Sequence, residues 1–224
     1  MRPDRMIGIM AKAPIAGQAK TRLIPLLGAV GAAMFYQHML LDSIELAVEA
    51  LDGHGAVSLV CPTKAHRDTL RRLVPDTVQV LAHEQGDLMR GLDYGLAHYT
   101  RQGYDHVVLL DGDSPTLPVS NLRRAFDALS TAKVVLGPTL DGGYYLIGSC
   151  QPQPALFTWE QLDGTTVCRE TQARAEAYGA RVTLLPPWYD IDTREDMERL
   201  VDDLRTQENG ARHTRRFLAR ERLL

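Results

Sequence analysis

The chain has 224 residues, 45% of them hydrophobic, with 25 basic against 28 acidic side chains and a formal charge of -3 at pH 7. That is enough apolar material for one full core, and the near balance of charge excludes a global attraction to nucleic acid or to an anionic membrane surface. Cys61, Cys150 and Cys168 are odd in number and lack C-x-x-C spacing, which excludes a disulfide framework or a cysteine zinc site.

Residues 6–11 read as a first buried strand, and the run is too short for the apolar region of a signal peptide. No other run approaches membrane-spanning length, so a soluble protein with reduced thiols is expected in the cytoplasm. The chain then turns basic at once: Lys12, Lys20 and Arg22 fall in a loop that also holds Ala11, Pro14, Gly17 and Thr21. A strand followed by a glycine-bearing loop with three cations is what a phosphate-binding loop needs, because backbone N–H groups can approach and the cations neutralise. The spacing is not that of a Walker A loop, and there is no G-x-G-x-x-G. A solvated basic loop is the plainer alternative.

Over residues 31–51, Leu40, Ile44, Ala47, Val48 and Leu51 recur at helical spacing, which predicts a helix packed on a sheet. Residues 56–61 predict a second strand closed by Pro62, with Thr63 capping a short basic helix to about residue 73. Residues 78–82 form a third strand, and the loop from His83 to Leu88 leads into a helix ending near residue 99. Gln85, Gly86 and Asp87 in that loop suit either contact with a base or ribose, or a turn and a helix cap.

Residues 107–110 are four consecutive apolar side chains, the mark of a strand covered on both faces. The run ends in Asp111, Gly112, Asp113, Ser114 and Pro115, where Gly112 permits a sharp turn and Pro115 stops the strand. Ligands of open α/β sheets bind at this carboxyl edge. Two carboxylates placed there repel unless a cation lies between them, and Mg²⁺ or Mn²⁺ with a phosphate ligand is the usual solution. Ordinary turn chemistry is the alternative for either acid.

Pro118 opens a helix to about residue 130, and residues 133–137 and 143–148 predict two strands joined through Asp141 and Gly142, a hairpin signal. Gly143 removes a side chain where a ligand or backbone must come close, and Tyr144 and Tyr145 send one ring to each side of the sheet. Residues 151–164, with Trp159, are irregular and read as a lid over an acceptor. Thr165 or Thr166 caps the next helix, and residues 181–185 make a last strand before Pro186 and Pro187.

Thr193 with Asp196 is a capping box for a helix carrying Met197, Leu200, Val201 and Leu204. This leaves Asp190 and Asp192 as a second acidic pair just after a strand. The carboxyl end carries Arg212, Arg215, Arg216, Arg220 and Arg222 and reads as a solvated or fraying helix, with packing on a partner subunit as the alternative. The expected organisation is one domain over residues 1–207 and a basic tail over 208–224. The 7 histidines show no metal-ligand spacing, and most read as surface residues.

Four separated blocks resemble the bacterial DUF2064 family of the GT-A superfamily, glycosyltransferase-like proteins related to 2-phospho-L-lactate guanylyltransferases. The first block is Met10, Lys12 and Pro14 with Gly17, Lys20, Thr21, Arg22 and Leu23; the second is Leu110, Asp111, Gly112, Asp113, Ser114 and Pro115. The third is Gly137 and Pro138 with residues 141–148, and the fourth is residues 186–193. The resemblance spans about residues 6–204. It implies an α/β fold, a three-layer α/β/α Rossmann-like sandwich of the GT-A, nucleotide-diphospho-sugar transferase type, with a mostly parallel mixed sheet.

The resemblance also implies a nucleotide at the carboxyl ends of the first half's strands and a divalent metal at Asp113 with Asp192, Asp190 lying beside them. The nucleotide residues would be Ala11, Lys12, Pro14, Gly17, Lys20, Thr21, Arg22, Gln85, Gly86 and Asp111; Asp141, Gly142, Gly143 and Tyr144 would face the acceptor. Two departures stand out: Met89 and Arg90 replace a glycine and an acid frequent in the family, and Arg194 stands where proline is frequent.

The leading expectation is metal-dependent nucleotidyl transfer from an NTP to a small phosphorylated or anionic acceptor, with release of pyrophosphate. Lys20, Arg22 and Asp113 form its catalytic set and Mg²⁺ (or Mn²⁺) its cofactor. Glycosyl transfer from a nucleotide-diphospho-sugar is the alternative, since Asp111, Gly112 and Asp113 make a D-x-D and Asp141 or Asp190 offers an acceptor base. A nucleotide-binding protein without turnover is the third reading. The expected partners are a nucleotide donor and a small-molecule acceptor, with no nucleic acid and no membrane, in a monomer or homodimer.

Overall fold

Seven short apolar runs pair into one sheet in a computed structural model that describes residues 4–157, 164–206 and 210–224. The strands are β1 (Arg5–Met10), β2 (Gly55–Cys61), β3 (Gln79–Ala82), β4 (His106–Leu110), β5 (Val134–Pro138), β6 (Tyr144–Ser149) and β7 (Val182–Leu184). Their order is β3-β2-β1-β4-β6-β5-β7. β6 runs antiparallel to both its neighbours, and every other pairing is parallel.

Strand side chains alternate between two helical layers, the period of two that a doubly covered strand requires. In β4, Val108 and Leu110 face one layer and Val107 and Leu109 the other. Helices α1 (Ile24–Leu51), α2 (Lys64–Leu70) and α4 (Val119–Leu129) cover the first face; α3 (Leu88–Arg101) and α5 (Val167–Ala177) cover the second. The three-layer α/β/α sandwich and the mostly parallel mixed sheet are as expected. From β1 the chain moves outward through β2 and β3, then returns to β4 on the other side of β1. At that switch point the loops after β1 and β4 part to either side and leave a crevice at the carboxyl ends of the two strands.

α1 begins at Ile24, earlier than periodicity predicts. Pro25 opens a first turn, and Gly28 at φ 71° and ψ 165° breaks the helical geometry, so a short turn precedes the long continuous helix. Among the described residues this is the one helix long and apolar enough to cross a membrane. Its residues are instead spent on the protein core: Leu40, Ile44 and Ala47 pack on the sheet, and Phe35 and Met39 on the last two helices.

Those helices are α6 (Arg194–Thr206) and α7 (Arg212–Arg220). The capping box at the start of α6 forms as the sequence predicts, with Thr193 N–H and its hydroxyl donating to Asp196 and Asp196 N–H to Thr193 Oγ1. α7 is not the solvated or fraying helix that its arginines suggest. Thr214, Phe217 and Leu218 lie on one face and are buried, with the rings of Phe35 and Phe217 5.6 Å apart. Asp42 of α1 accepts the N–H groups of His213 (2.9 Å) and Thr214 (2.8 Å), satisfying donors that an open helix end leaves unpaired. Arg212, Arg216 and Arg220 take the exposed face. Residues 158–163, including Trp159 of the expected lid, and Asn209 lie outside the described residues.

Candidate functional site

The crevice between β1 and β4 is a cavity of about 610 Å³, a size suited to a nucleotide-scale ligand. Its floor is the turn after β4. Asp111 N–H donates to the Tyr145 carbonyl (2.8 Å), and Ser114 Oγ donates to Asp111 Oδ2 (2.9 Å), which fixes the carboxylate. Asp111 Oδ1 and Asp113 Oδ1 are buried and have no hydrogen-bond partner among the described residues. Burial, then the charge of Asp113, holds Asp111 well above the usual carboxylate range.

The second acidic pair joins the first through the backbone, since Ile191 N–H donates to the Asp113 carbonyl (3.1 Å). Asp192 lines the cavity and Asp190 does not. Burial and then the neighbouring Asp192 charge push Asp190 up to about 6. Burial also acts to raise Asp192, but Lys20 and then Arg22 outweigh it and hold that carboxyl below its ordinary value.

The basic wall divides its labour. Lys20 takes a left-handed backbone conformation, φ 47° and ψ 50°, and points inward, its Nζ 3.0 Å from Asp113 Oδ2 and 2.7 Å from Asp192 Oδ1. Its side chain is only 5% exposed. Burial alone would lower its pKa; the two carboxylates more than reverse this, and the ammonium stays charged. Arg22 is exposed at the rim, 3.6 Å from Asp192 Oδ2. The Lys12 side chain is exposed as well, while its backbone N–H is anchored on the buried Tyr36 hydroxyl at 3.0 Å.

Ala11, Lys12, Lys20, Thr21 and Arg22 all line the cavity, with Asp111 and Asp113 below them and Gly86 and Asp87 across from them. Asp87 also caps α3 by accepting Arg90 N–H (2.9 Å), the cap that the sequence left open for it. Pro14, Gly17 and Gln85 are not in the lining. Gln85 turns its side-chain amide back onto the His83 carbonyl (2.9 Å).

His83 is the residue that sequence reasoning missed. It is 4% exposed and its ring forms part of the cavity wall. Nδ1 accepts Gln85 N–H (3.1 Å), so the neutral ring carries its proton on Nε2. Burial, against a smaller opposing effect of Asp87, holds its pKa below the ordinary value of 6.5. The signal in the sequence was its position, immediately after a buried strand and before Gly86.

The residues expected to face an acceptor are brought together, but by the hairpin itself. Asp141 Oδ1 accepts the Thr139 hydroxyl (2.5 Å) and Gly143 N–H (3.2 Å), closing its own turn. Gly142 has φ +99°, and a Cβ there would stand 2.0 Å from the Thr165 carbonyl oxygen; its own carbonyl accepts Cys168 N–H (2.9 Å). Tyr144 packs in the layer under α3 and α5, its hydroxyl 3.6 Å from Met89 Sδ. None of these four lines the cavity, although Asp141 lies near enough to add to the rise in the Asp190 pKa.

A family profile described as "Uncharacterized protein conserved in bacteria (DUF2064)" matches residues 46–161, slightly more than half of the chain. The chain belongs to the DUF2064 family. The matched span contains Asp111, Asp113 and the hairpin, while the basic loop and the pair Asp190 and Asp192 lie outside it. A search of curated proteins found no match.

Among solved structures, this DUF2064 chain is similar to a protein from Desulfovibrio desulfuricans G20 provisionally named a nucleotide-diphospho-sugar transferase. The two are 26% identical, with a TM-score of 0.80 over 93% of this chain and 89% of the other. It is also similar to a nucleotidyl transferase from Methanothermobacter, 16% identical with a TM-score of 0.60 over 91% and 98% of the two chains. A third is Rv0371c from Mycobacterium tuberculosis H37Rv in complex with manganese, at 18% identity and a TM-score of 0.52 over 90% and 100%. The last two are likenesses of fold. The architecture is that of nucleotidyl and nucleotide-sugar transferases.

Proposed function

We propose that the protein is a metal-dependent nucleotidyltransferase, moving a nucleotidyl group from an NTP to a small phosphorylated or anionic acceptor with release of pyrophosphate. The observation that carries this reading is the pair of buried, unpartnered oxygens, Asp111 Oδ1 and Asp113 Oδ1, in a cavity whose wall also carries Lys12 and Arg22. Buried acceptor oxygens without a partner are costly, and a cation removes the cost. Asp113 and Asp192, with Asp111 and Asp190 alongside, offer oxygen alone, the donor set of a hard ion such as Mg²⁺ or Mn²⁺. The fold's likeness to a manganese-bound protein and to a nucleotidyl transferase supports the same reading.

Bound at these carboxylates, such an ion would draw charge from phosphate oxygens. Lys12 and Arg22, exposed at the rim, neutralise the triphosphate and then the departing pyrophosphate. Neutral His83, with Gly86 and Asp87, bounds the opposite wall and faces the nucleoside end. An acceptor oxygen attacks the α-phosphorus, and the bridging bond to the β-phosphate breaks with its electron pair leaving on pyrophosphate. Positioning and charge stabilisation suffice for this, with no covalent protein intermediate. The three free thiols suit the reducing cytoplasm, where we take the protein to act.

The likeness to the Desulfovibrio protein favours a second reading, glycosyl transfer from a nucleotide-diphospho-sugar. Melting curves of wild type and Asp113→Asn with the four NTPs and several nucleotide sugars, each with and without Mg²⁺ or Mn²⁺, separate the two. One NTP is expected to stabilise the wild type by about 2.7 kcal/mol at a hundredfold excess over Kd, only with metal and not in the variant. A response to a nucleotide sugar alone gives the second reading, and no response to any of them sinks both.

A further inference from the structure

Lys20 is an unusual phosphate ligand, because it faces the carboxylates and not the space a phosphate would fill. Its Nζ reaches one oxygen of Asp113 and one of Asp192, the two residues best placed to hold a metal. Its side chain is 5% exposed where those of its partners are 31% and 44% exposed, so the ammonium is the innermost member of the cluster. The left-handed backbone at Lys20, uncommon for a residue with a Cβ, is what turns the side chain inward. Arg22 and Lys12 stay at the rim and leave the centre to Lys20 alone.

An ammonium and a divalent ion compete for these carboxylates. Both are hard cations, both seek the same lone pairs, and at a separation of about 3–4 Å in a partly desolvated site their mutual repulsion is strong. The ammonium is also an incomplete substitute, since Asp113 Oδ1 and Asp111 Oδ1 stay unpartnered while it is in place.

We propose that Lys20 is an internal stand-in for the metal: it holds Asp113 and Asp192 together while no metal is bound, yields its place to the ion, and is thereby released to bind phosphate. The proposal rests on the metal reading given above and goes beyond it in tying metal uptake to phosphate binding through one side chain. The two events then assist each other, because each removes the competitor of the other. Lys20 is a positioning residue for the metal and a ligand for the phosphate, and removing it moves the two affinities in opposite directions.

A titration with Mn²⁺ alone, followed by the electron paramagnetic resonance of the free ion, tests this without any substrate. Lys20→Met and Lys20→Gln are expected to bind Mn²⁺ at least tenfold more tightly than wild type, and to bind the stabilising NTP more weakly. Equal or weaker Mn²⁺ binding in both variants overturns the proposal. A second measurement on the wild type does not depend on the variants folding. The chain has only four lysines, Lys12, Lys20, Lys64 and Lys133, so acetylation by acetic anhydride can be read at each by mass spectrometry. Lys20 is expected to be protected without metal and acetylated several-fold faster with Mn²⁺, while Lys64 and Lys133 stay unchanged. Protection that persists in saturating Mn²⁺ overturns the exchange. If the wild type takes up no Mn²⁺, the proposal falls with the metal site, and NTP stabilisation without metal then shows that nucleotide binding survives it.

Discussion

The molecule holds two acidic clusters, one where α1 meets α7 and one at the sheet edge, and by proximity alone the first is the better metal site. Ligand atoms of Asp42, Glu45 and His213 fall within 4.8 Å of one another. Yet both Asp42 oxygens already accept backbone N–H groups of α7, and Glu45 Oε1 takes both Arg212 and His213. An ion there would have to displace a helix cap and a guanidinium. At the sheet edge the acids are less tightly grouped, but Asp111 and Asp113 each keep a buried oxygen with no partner. The same residue type serves as a joint in one place and as an unfinished site in the other. What separates them is the count of unsatisfied acceptors, not the density of acids.

The largest effect that would break this contrast is on binding and turnover. Asp113→Asn is expected to abolish metal-dependent nucleotide stabilisation and to lower turnover by on the order of 10² or more, the usual loss when one charge-stabilising group is removed. Asp42→Asn, in the same Mn²⁺ titration, is expected to leave metal and nucleotide affinity at wild-type values. Loss of Mn²⁺ binding in Asp42→Asn with retention in Asp113→Asn would invert the comparison.

On stability the order reverses. Asp42→Ala leaves two backbone donors of α7 unpaired against the core, and each such loss costs about 1–3 kcal/mol. For a chain of this size about 2–4 °C of melting temperature follows each kcal/mol, so a drop of several degrees is expected by differential scanning calorimetry. The folded fraction should still respond to nucleotide. An unchanged melting temperature would mean that α7 does not dock through Asp42.

Much of this was legible before any coordinates. Four apolar residues followed by Asp111 announced a doubly covered strand whose acidic end lines the cavity, because burial on both faces leaves no polar position to misread. The capping box at Thr193 and Asp196 and the hairpin at Asp141 and Gly142 were equally plain, since each is fixed by neighbours in sequence. What could not be read was direction. Three cations in one loop look alike on paper, and only the left-handed backbone at Lys20 sends one of them inward. The spacing of Thr214, Phe217 and Leu218 was visible, but five arginines drew attention from it, and its partner Asp42 is about 170 residues away. His83 was one histidine among seven until the fold placed it in the lining of the same cavity as the basic loop.

Gly91→Ala sharpens the contrast from the opposite wall of the cavity. In a helix interior this change ordinarily stabilises by about 1 kcal/mol. Here a Cβ would stand 2.7 Å from His83 Nε2, so the ring must leave its place in the wall. Lower stability than that ordinary gain, with nucleotide affinity down several-fold and Mn²⁺ affinity unchanged, is the expected outcome of calorimetry and titration. A variant that is more stable and binds nucleotide normally would show that the ring has room to shift.

The smallest effect is the share of the pH dependence that His83 contributes. Burial lowers its pKa in the folded protein, so the unfolded chain takes up the proton first as pH falls. The native state then binds fewer protons than the unfolded one, and stability rises with pH through that interval. The contribution is therefore complete above about 6.5, the unfolded value, and is lost progressively as pH falls towards the lower folded value. His83→Gln keeps a polar side chain and removes the titration. Between pH 7.5 and 5 the wild type should lose more melting temperature than the variant, while His98, lowered by burial and then by Arg101, and Asp190, raised to about 6 by burial and then by Asp192, contribute to both and cancel. Equal slopes would mean that the His83 ring meets solvent as freely when folded as when unfolded. The ring would then not be the buried part of the cavity wall that its 4% exposure describes.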